Sequence, residues 1–105
     1  AMVSENKRLA NPASVDSIPS SAMQEDHVSM GWHAGRKLRK AVDNLRRILA
    51  IELVTAARAV ELREHKPAPV TGELIAILRE RVPGMGPDRD LSPELEAAYE
   101  LLAPR

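Results

Sequence analysis

From Leu38 to Leu49 the apolar residues recur with the period of a helix. Leu38, Ala41, Val42, Leu45, Ile48 and Leu49 share one arc of a wheel turning about 100° per residue, and Arg36, Arg39, Lys40, Arg46 and Arg47 share the opposite arc. Prolines stand at 12, 19, 67, 69, 83, 87, 93 and 104, and none interrupts the chain between Pro19 and Pro67. A start signal sits near the front of that window: Ser21 followed by Gln24 has capping-box spacing, and Glu25 and Asp26 would put negative charge in a first turn. The pattern predicts one long helix over residues 23–65. At ~1.5 Å per residue such a helix is about 64 Å long, more than a compact domain with a radius of gyration near about 13 Å can cover.

From 48 to 57 the stripe widens into a girdle. Ile48, Leu49, Ala50, Ile51, Leu53, Val54, Ala56 and Ala57 point in every direction, broken only by Glu52 and Thr55. A helix apolar all round is expected to be buried all round, and two short helices cannot surround it. Glu52 projects into this apolar arc and calls for an Arg partner on a neighbouring helix. Gly31 and Gly35 offer room for another backbone, at some cost in helix propensity. Residues 1–22 read as an irregular lead-in. Residues 66–105 read as two short helices and a tail: Thr71 is placed to cap a segment through Leu74, Ile75, Leu78 and Val82 that closes at Pro83-Gly84, and Ser92-Pro93-Glu94 opens a segment through Leu95, Ala98, Tyr99 and Leu102. The expected fold class is all-α: one long central helix with shorter C-terminal helices, part of a larger multi-helix bundle.

Composition supports helices and narrows the function. The 105 residues hold no Phe, one Trp and one Tyr, so base-stacking surfaces have little to work with. Fifteen basic residues balance 15 acidic ones, which argues against a general nucleic-acid binder and against an acidic membrane surface. Without cysteine there is no disulfide, thiolate metal site or Cys nucleophile, in keeping with a reducing compartment. No apolar run approaches the ~20 residues of a membrane span, and Glu5, Lys7, Arg8 and Asp16 leave no room for a signal core in residues 1–16. Ala1 ahead of Met2 is not an ordinary start and points to a tag remnant or an excised piece.

Among groups that could carry chemistry, Gln24-Glu25-Asp26 stands out. Local physics alone offers two accounts: dipole compensation at a helix start, or an active-site carboxylate at a loop-to-helix junction. His27, His33 and His65 give no metal site; on a helix, His27 and His33 lie about 240° apart. The basic stripe from Arg36 to Arg47, with no aromatic residue interleaved, reads as a solvated face or one paired with acids on a partner subunit. The serines have no general base nearby in sequence, and no Gly-rich phosphate loop is present.

Three stretches carry a resemblance: Ser4-Glu5-Asn6-Lys7, then Asn11-Pro12-Ala13-Ser14-Val15-Asp16-Ser17-Ile18-Pro19, then Gln24-Glu25-Asp26-His27-Val28-Ser29-Met30-Gly31. With Ala34-Gly35-Arg36-Lys37-Leu38 and the run from Asn44 to Leu53, they resemble the C-terminal part of the histidine ammonia-lyases, within the aromatic amino acid lyase family. The match spans most of residues 3–82; residues 83–105 are similar only loosely.

That resemblance implies a mostly helical bundle and a cytoplasmic homotetramer whose active sites each draw on three subunits. It implies conversion of L-histidine to urocanate and ammonia by a methylidene-imidazolone electrophile formed autocatalytically from Ala-Ser-Gly. This chain has no such tripeptide, so the electrophile, the catalytic Tyr and the N-terminal substrate residues are expected upstream of Ala1 in a complete enzyme, and the chain alone is expected to be inactive. Glu25 matches the family's active-site glutamate, where phenylalanine and tyrosine lyases carry Gln. Gln24, its neighbour, is a weaker candidate for lining the substrate pocket. Met23, His33 and Gly35 depart from the family pattern. The expected partners are L-histidine, other parts of the lyase subunit and identical subunits, with no metal, nucleic acid or membrane. The alternative is a non-catalytic helical association module derived from the lyase fold. An Ala-Ser-Gly encoded upstream of Ala1 favours the enzyme, and a start at Met2 the module.

Overall fold

The computed structural model describes residues 1–63 and 65–103. It contains α1 (Met2–Leu9), a 3-10 turn (Ala13–Val15), α2 (Gly31–Glu61), α3 (Pro69–Arg79) and α4 (Ser92–Leu101). The all-α class and the long central helix are as expected. The chain divides into two compact units, residues 1–45 and 46–105.

The long helix is shorter at its front than the spacing predicts. It begins at Gly31, not at residue 23. Ser21, Ala22 and Met23 have φ of 51°, 53° and 69°, in the left-handed region a right-handed helix excludes. The first helical amide bonds run from Ala34 N–H to Met30 O at 2.9 Å, and the Ser29 hydroxyl, 3.3 Å away, accepts the Gly31 N–H. The residue that serves the helix start is therefore Ser29; Ser21 does not cap it. At the far end α2 closes at Glu61, with Leu62 and Arg63 tapering onto Arg58 and Val60. The expected end near 65 falls against Glu64, which lies outside the described residues, as do Pro104 and Arg105 of the expected tail.

The first unit also departs from the irregular lead-in predicted over 1–22, because Met2–Leu9 is helical. Glu5 in its first turn and Lys7 and Arg8 in its last suit the helix dipole. No residue of α1 is fully buried; its half-buried face joins Met2 and Leu9 to the polar Glu5 and Asn6, so the apolar period is thin. Polar contacts hold it instead. Asn6 donates to the Ala41 carbonyl at 3.2 Å, and buried Asn44 donates to Glu5 Oε2 at 2.8 Å and Asn6 Oδ1 at 3.0 Å. Lys37 reaches the Asn11 carbonyl. Among the described residues this unit buries no large apolar side chain.

The second unit holds the core: Ala50, Val54 and Ala57 of α2 against Leu78, Val82 and Ala98, flanked by half-buried Leu53, Ile75, Leu95 and Leu102. The girdle is thus covered on one side only. Leu49 and Ile51 remain exposed, and Glu52 is exposed too, so it has no buried charge to neutralise. Gly35, in the first unit, has open space where a Cβ would stand, so among the described residues no backbone packs against it.

Helix α3 starts at Pro69, with Ala68 at the N-cap and Thr71 inside it, and it ends at Arg79 ahead of the predicted Val82. Pro at the first helical position has no amide to leave unpaired, which makes it the better start. For α4, Asp90 accepts the Ser92 N–H at 2.9 Å, and that bond holds the Asp90 carboxyl below its ordinary range. Tyr99 lies beneath two guanidiniums, with Arg46 and Arg47 carbons 4.5 and 4.2 Å from the ring centroid.

Two carboxylates in this unit make stability depend on pH. Arg79 grips Glu61 through both oxygens, at 2.5 and 2.8 Å; this hydrogen bonding, aided by the charges of Arg79 and Arg58 and opposed by burial, lowers the Glu61 pKa. Glu94 accepts from Arg89 at one oxygen and from Arg58 at the other, and its pKa is lowered chiefly by the Arg89 bond. A folded pKa depressed below 4.5 adds stability that is present above that pH and lost as pH falls through the folded value. The melting temperature is therefore expected to be level above about pH 5.5 and to fall on acidification. In Glu94→Gln the neutral-pH melting point should drop and the acid-side slope should flatten. An unchanged slope by circular dichroism would remove Glu94 as a source.

Candidate functional site

The candidate acid lies on a tight reversal, not on a helix. Ser20 and Glu25 form an isolated antiparallel bridge: Ser20 N–H donates to the Glu25 carbonyl at 2.9 Å and Glu25 N–H to the Ser20 carbonyl at 3.2 Å. Ser21 to Gln24 make the turn between them, closed by Gln24 N–H on the Ser21 carbonyl at 3.2 Å. Each left-handed non-glycine residue in it costs roughly 1–2 kcal/mol, and there are three in a row. Strain of this kind gathers at functional sites.

Glu25, Gln24 and Asp26 are all exposed, and among the described residues their side chains make no hydrogen bond or ion pair. Because Glu25 is ahead of Gly31 in non-helical backbone, the dipole account of this cluster no longer applies. A carboxylate with both oxygens open is an acceptor waiting for a donor such as an N–H of a ligand. Met23, within the turn, is exposed by 82%.

A second tie follows along the chain. Val28 N–H donates to Ser17 Oγ at 2.9 Å, and the same hydroxyl is 3.3 Å from His27 Nδ1. Sequence spacing gave no warning of this pairing, since ten residues separate Ser17 from His27 and no period links them. His27 lies before α2, so the wheel argument does not apply to it, whereas His33 stands in the first turns of the helix. An open hollow of about 410 Å³ is lined by Asp16, His27, Ser29 and Met30 among others, and neither Glu25 nor Gln24 faces it. The basic stripe is partly committed: Arg47 pairs with Glu96 at 3.0 Å. Among the described residues no helix is long and apolar enough to cross a membrane.

Comparison with known proteins gives the site its context. Residues 1–80 match the family model described as aromatic amino acid lyase. A histidine ammonia-lyase of Streptomyces avermitilis is 66% identical over 100 residues, covering 93% of this chain and 20% of that protein. The histidine ammonia-lyase of Symbiobacterium thermophilum is 56% identical over 103 residues, covering 97% of this chain and again 20% of the relative. The crystal structure of histidine ammonia-lyase from Trypanosoma cruzi superposes with a TM-score of 0.89 at 40% identity, over 96% of this chain and 20% of that one. The chain thus spans about 20% of the length of the curated relatives it matches.

Proposed function

Because this chain belongs to the aromatic amino acid lyase family, we propose that it is the C-terminal part of a histidine ammonia-lyase and supplies an active-site carboxylate, Glu25. The whole enzyme converts L-histidine to urocanate and ammonia in the cytoplasm, as a homotetramer whose core includes the exposed apolar face of α2. The observation that carries this reading is the likeness to histidine ammonia-lyases along nearly the whole chain, at 66% identity with the S. avermitilis protein. The local geometry supports it, because Glu25 is exposed, without a side-chain partner among the described residues and carried on a strained turn.

A carboxylate suits histidine. It accepts an imidazole N–H as a charge-assisted hydrogen bond, stronger than any an amide oxygen would offer. Gln24, beside it, is proposed in the lesser role of lining the substrate pocket. The methylidene-imidazolone electrophile needs an Ala-Ser-Gly, and these residues do not supply one, since Ala13-Ser14 is followed by Val15. The residues of this chain therefore act on the substrate's ring and its orientation.

Urocanate formation, followed by its ultraviolet absorbance, tests the reading. The 105-residue chain with L-histidine is expected to give no product above a buffer blank, and a whole lyase subunit carrying the segment is expected to turn over histidine in preference to phenylalanine or tyrosine. Turnover by the short chain would contradict the need for an electrophile from elsewhere. A whole subunit that prefers phenylalanine would remove histidine as the substrate. An assembled subunit inactive on all three amino acids would favour the association module.

A further inference from the structure

We propose that Ser17 is a positioning residue for Glu25, holding the carboxylate at the angle the substrate needs. This rests on the lyase reading of Glu25 given above. The turn from Ser21 to Met23 is strained and exposed, with no buried side chain to hold it. Its shape must therefore be kept by what ties its two arms together. Two ties do so. One is the Ser20–Glu25 bridge. The other is the Ser17 hydroxyl, which meets two successive residues of the opposite arm, Val28 through its N–H at 2.9 Å and His27 through Nδ1 at 3.3 Å.

Glu25 is itself the end of the inner tie, and the outer tie grips the chain two and three residues further on, at His27 and Val28. With both present, the segment from 25 to 28 is fixed at two points and cannot swing. With the bridge alone it can pivot, and the Glu25 side chain pivots with it. A hydroxyl is the right group for the outer tie. It accepts the Val28 amide, and its own proton remains free for a bare His27 Nδ1. Alanine can do neither. Displacing a positioned group by about 1 Å can cost as much as ~100-fold in rate, so a partial loosening should be visible.

The experiment is a double-mutant cycle on the whole lyase subunit that carries this segment, reading kcat/KM for histidine with thermal melting alongside. Ser17→Ala is expected to lower kcat/KM about tenfold in the Glu25 background and less than about twofold in Glu25→Gln, since a residue that acts through Glu25 loses its leverage when the charge is gone. Ser17→Thr keeps the hydroxyl and should restore most of the rate. Ser17→Cys, similar in size but a weak acceptor, should resemble Ser17→Ala, and it serves as the second variant if alanine assembles poorly. Equal losses in both backgrounds would overturn the proposal and make Ser17 merely structural. So would failure of both Ala and Cys variants to assemble. If Glu25→Gln reduces the rate but Ser17→Ala does not, positioning alone fails. If Glu25→Gln changes nothing, the reading of Glu25 fails and this inference with it.

Discussion

Glu25→Gln in a whole lyase subunit is expected to lower kcat/KM for histidine by roughly 30- to 4000-fold while leaving the melting temperature almost unchanged. The rate loss corresponds to ~2–5 kcal/mol, the scale for breaking a desolvated charge-assisted contact. The small stability change follows from the structure. Glu25 is exposed, outside any helix, and without a hydrogen-bond or ion-pair partner among the described residues, so its replacement by an isosteric amide should stay within about 0.5 kcal/mol. Had Glu25 occupied a helical first turn, loss of its charge would cost ~0.3–1 kcal/mol and blur the comparison. The bridge to Ser20 uses only the Glu25 backbone, which the substitution keeps. The pattern across substrates sharpens the test. Histidine turnover should fall steeply, whereas any trace turnover of phenylalanine or tyrosine should fall less or rise, because an apolar ring gains nothing from a carboxylate. Equal small losses on both substrates would leave the chain without an identified site residue.

The 105-residue chain by itself is expected to associate at micromolar concentration. Along α2, Leu38, Val42, Leu45 and Leu49 are exposed by 65%, 48%, 49% and 43%, and their spacing puts them on one stripe of the helix. Full burial of such a side chain is worth ~1.5–3 kcal/mol. With about half of each uncovered, the stripe withholds ~3–6 kcal/mol, comparable with the whole stability of a small domain. The first unit has no apolar core to offset this, being held by Asn6, Asn44 and Glu5. Sedimentation or light scattering should find oligomers or aggregates, and replacing Leu45 and Leu49 by Lys should shift the chain toward monomer. A clean 11.5 kDa species that unfolds cooperatively would count against the stripe as an interface.

The middle of α2 was legible because it obeys a single period: Leu38, Ala41, Val42, Leu45 and Ile48 repeat as a helical face, and no proline interrupts them. The same rule misplaced its start. Ser21 and Gln24 have capping-box spacing, but a box of two residues is also compatible with a turn. The outcome was set by contacts made farther along the chain, Val28 to Ser17 and Glu25 to Ser20. Helix α1 was hidden for a related reason. Its half-buried face mixes Met2 and Leu9 with Glu5 and Asn6, which leaves only a thin apolar stripe, and α1 is held by an Asn44 far along the sequence. The apolar girdle at 48–57 predicts burial on every side. Only Ala50, Val54 and Ala57 are buried, because α3 and α4 bring enough apolar surface for one side of the helix.

By itself the sequence determined the helical class, the amphipathic middle of α2 and the breaks imposed by Pro67, Pro69 and Pro83. Each depends on local chemistry, period or ring constraint, which neighbouring residues already contain. Tertiary structure decided where α2 begins and which part of its girdle is covered. It also decided that Glu25 sits on a left-handed turn tied by Ser20 and Ser17. Those outcomes depend on hydrogen bonds and packing between residues distant in sequence, and no local pattern records which distant donor will find which acceptor.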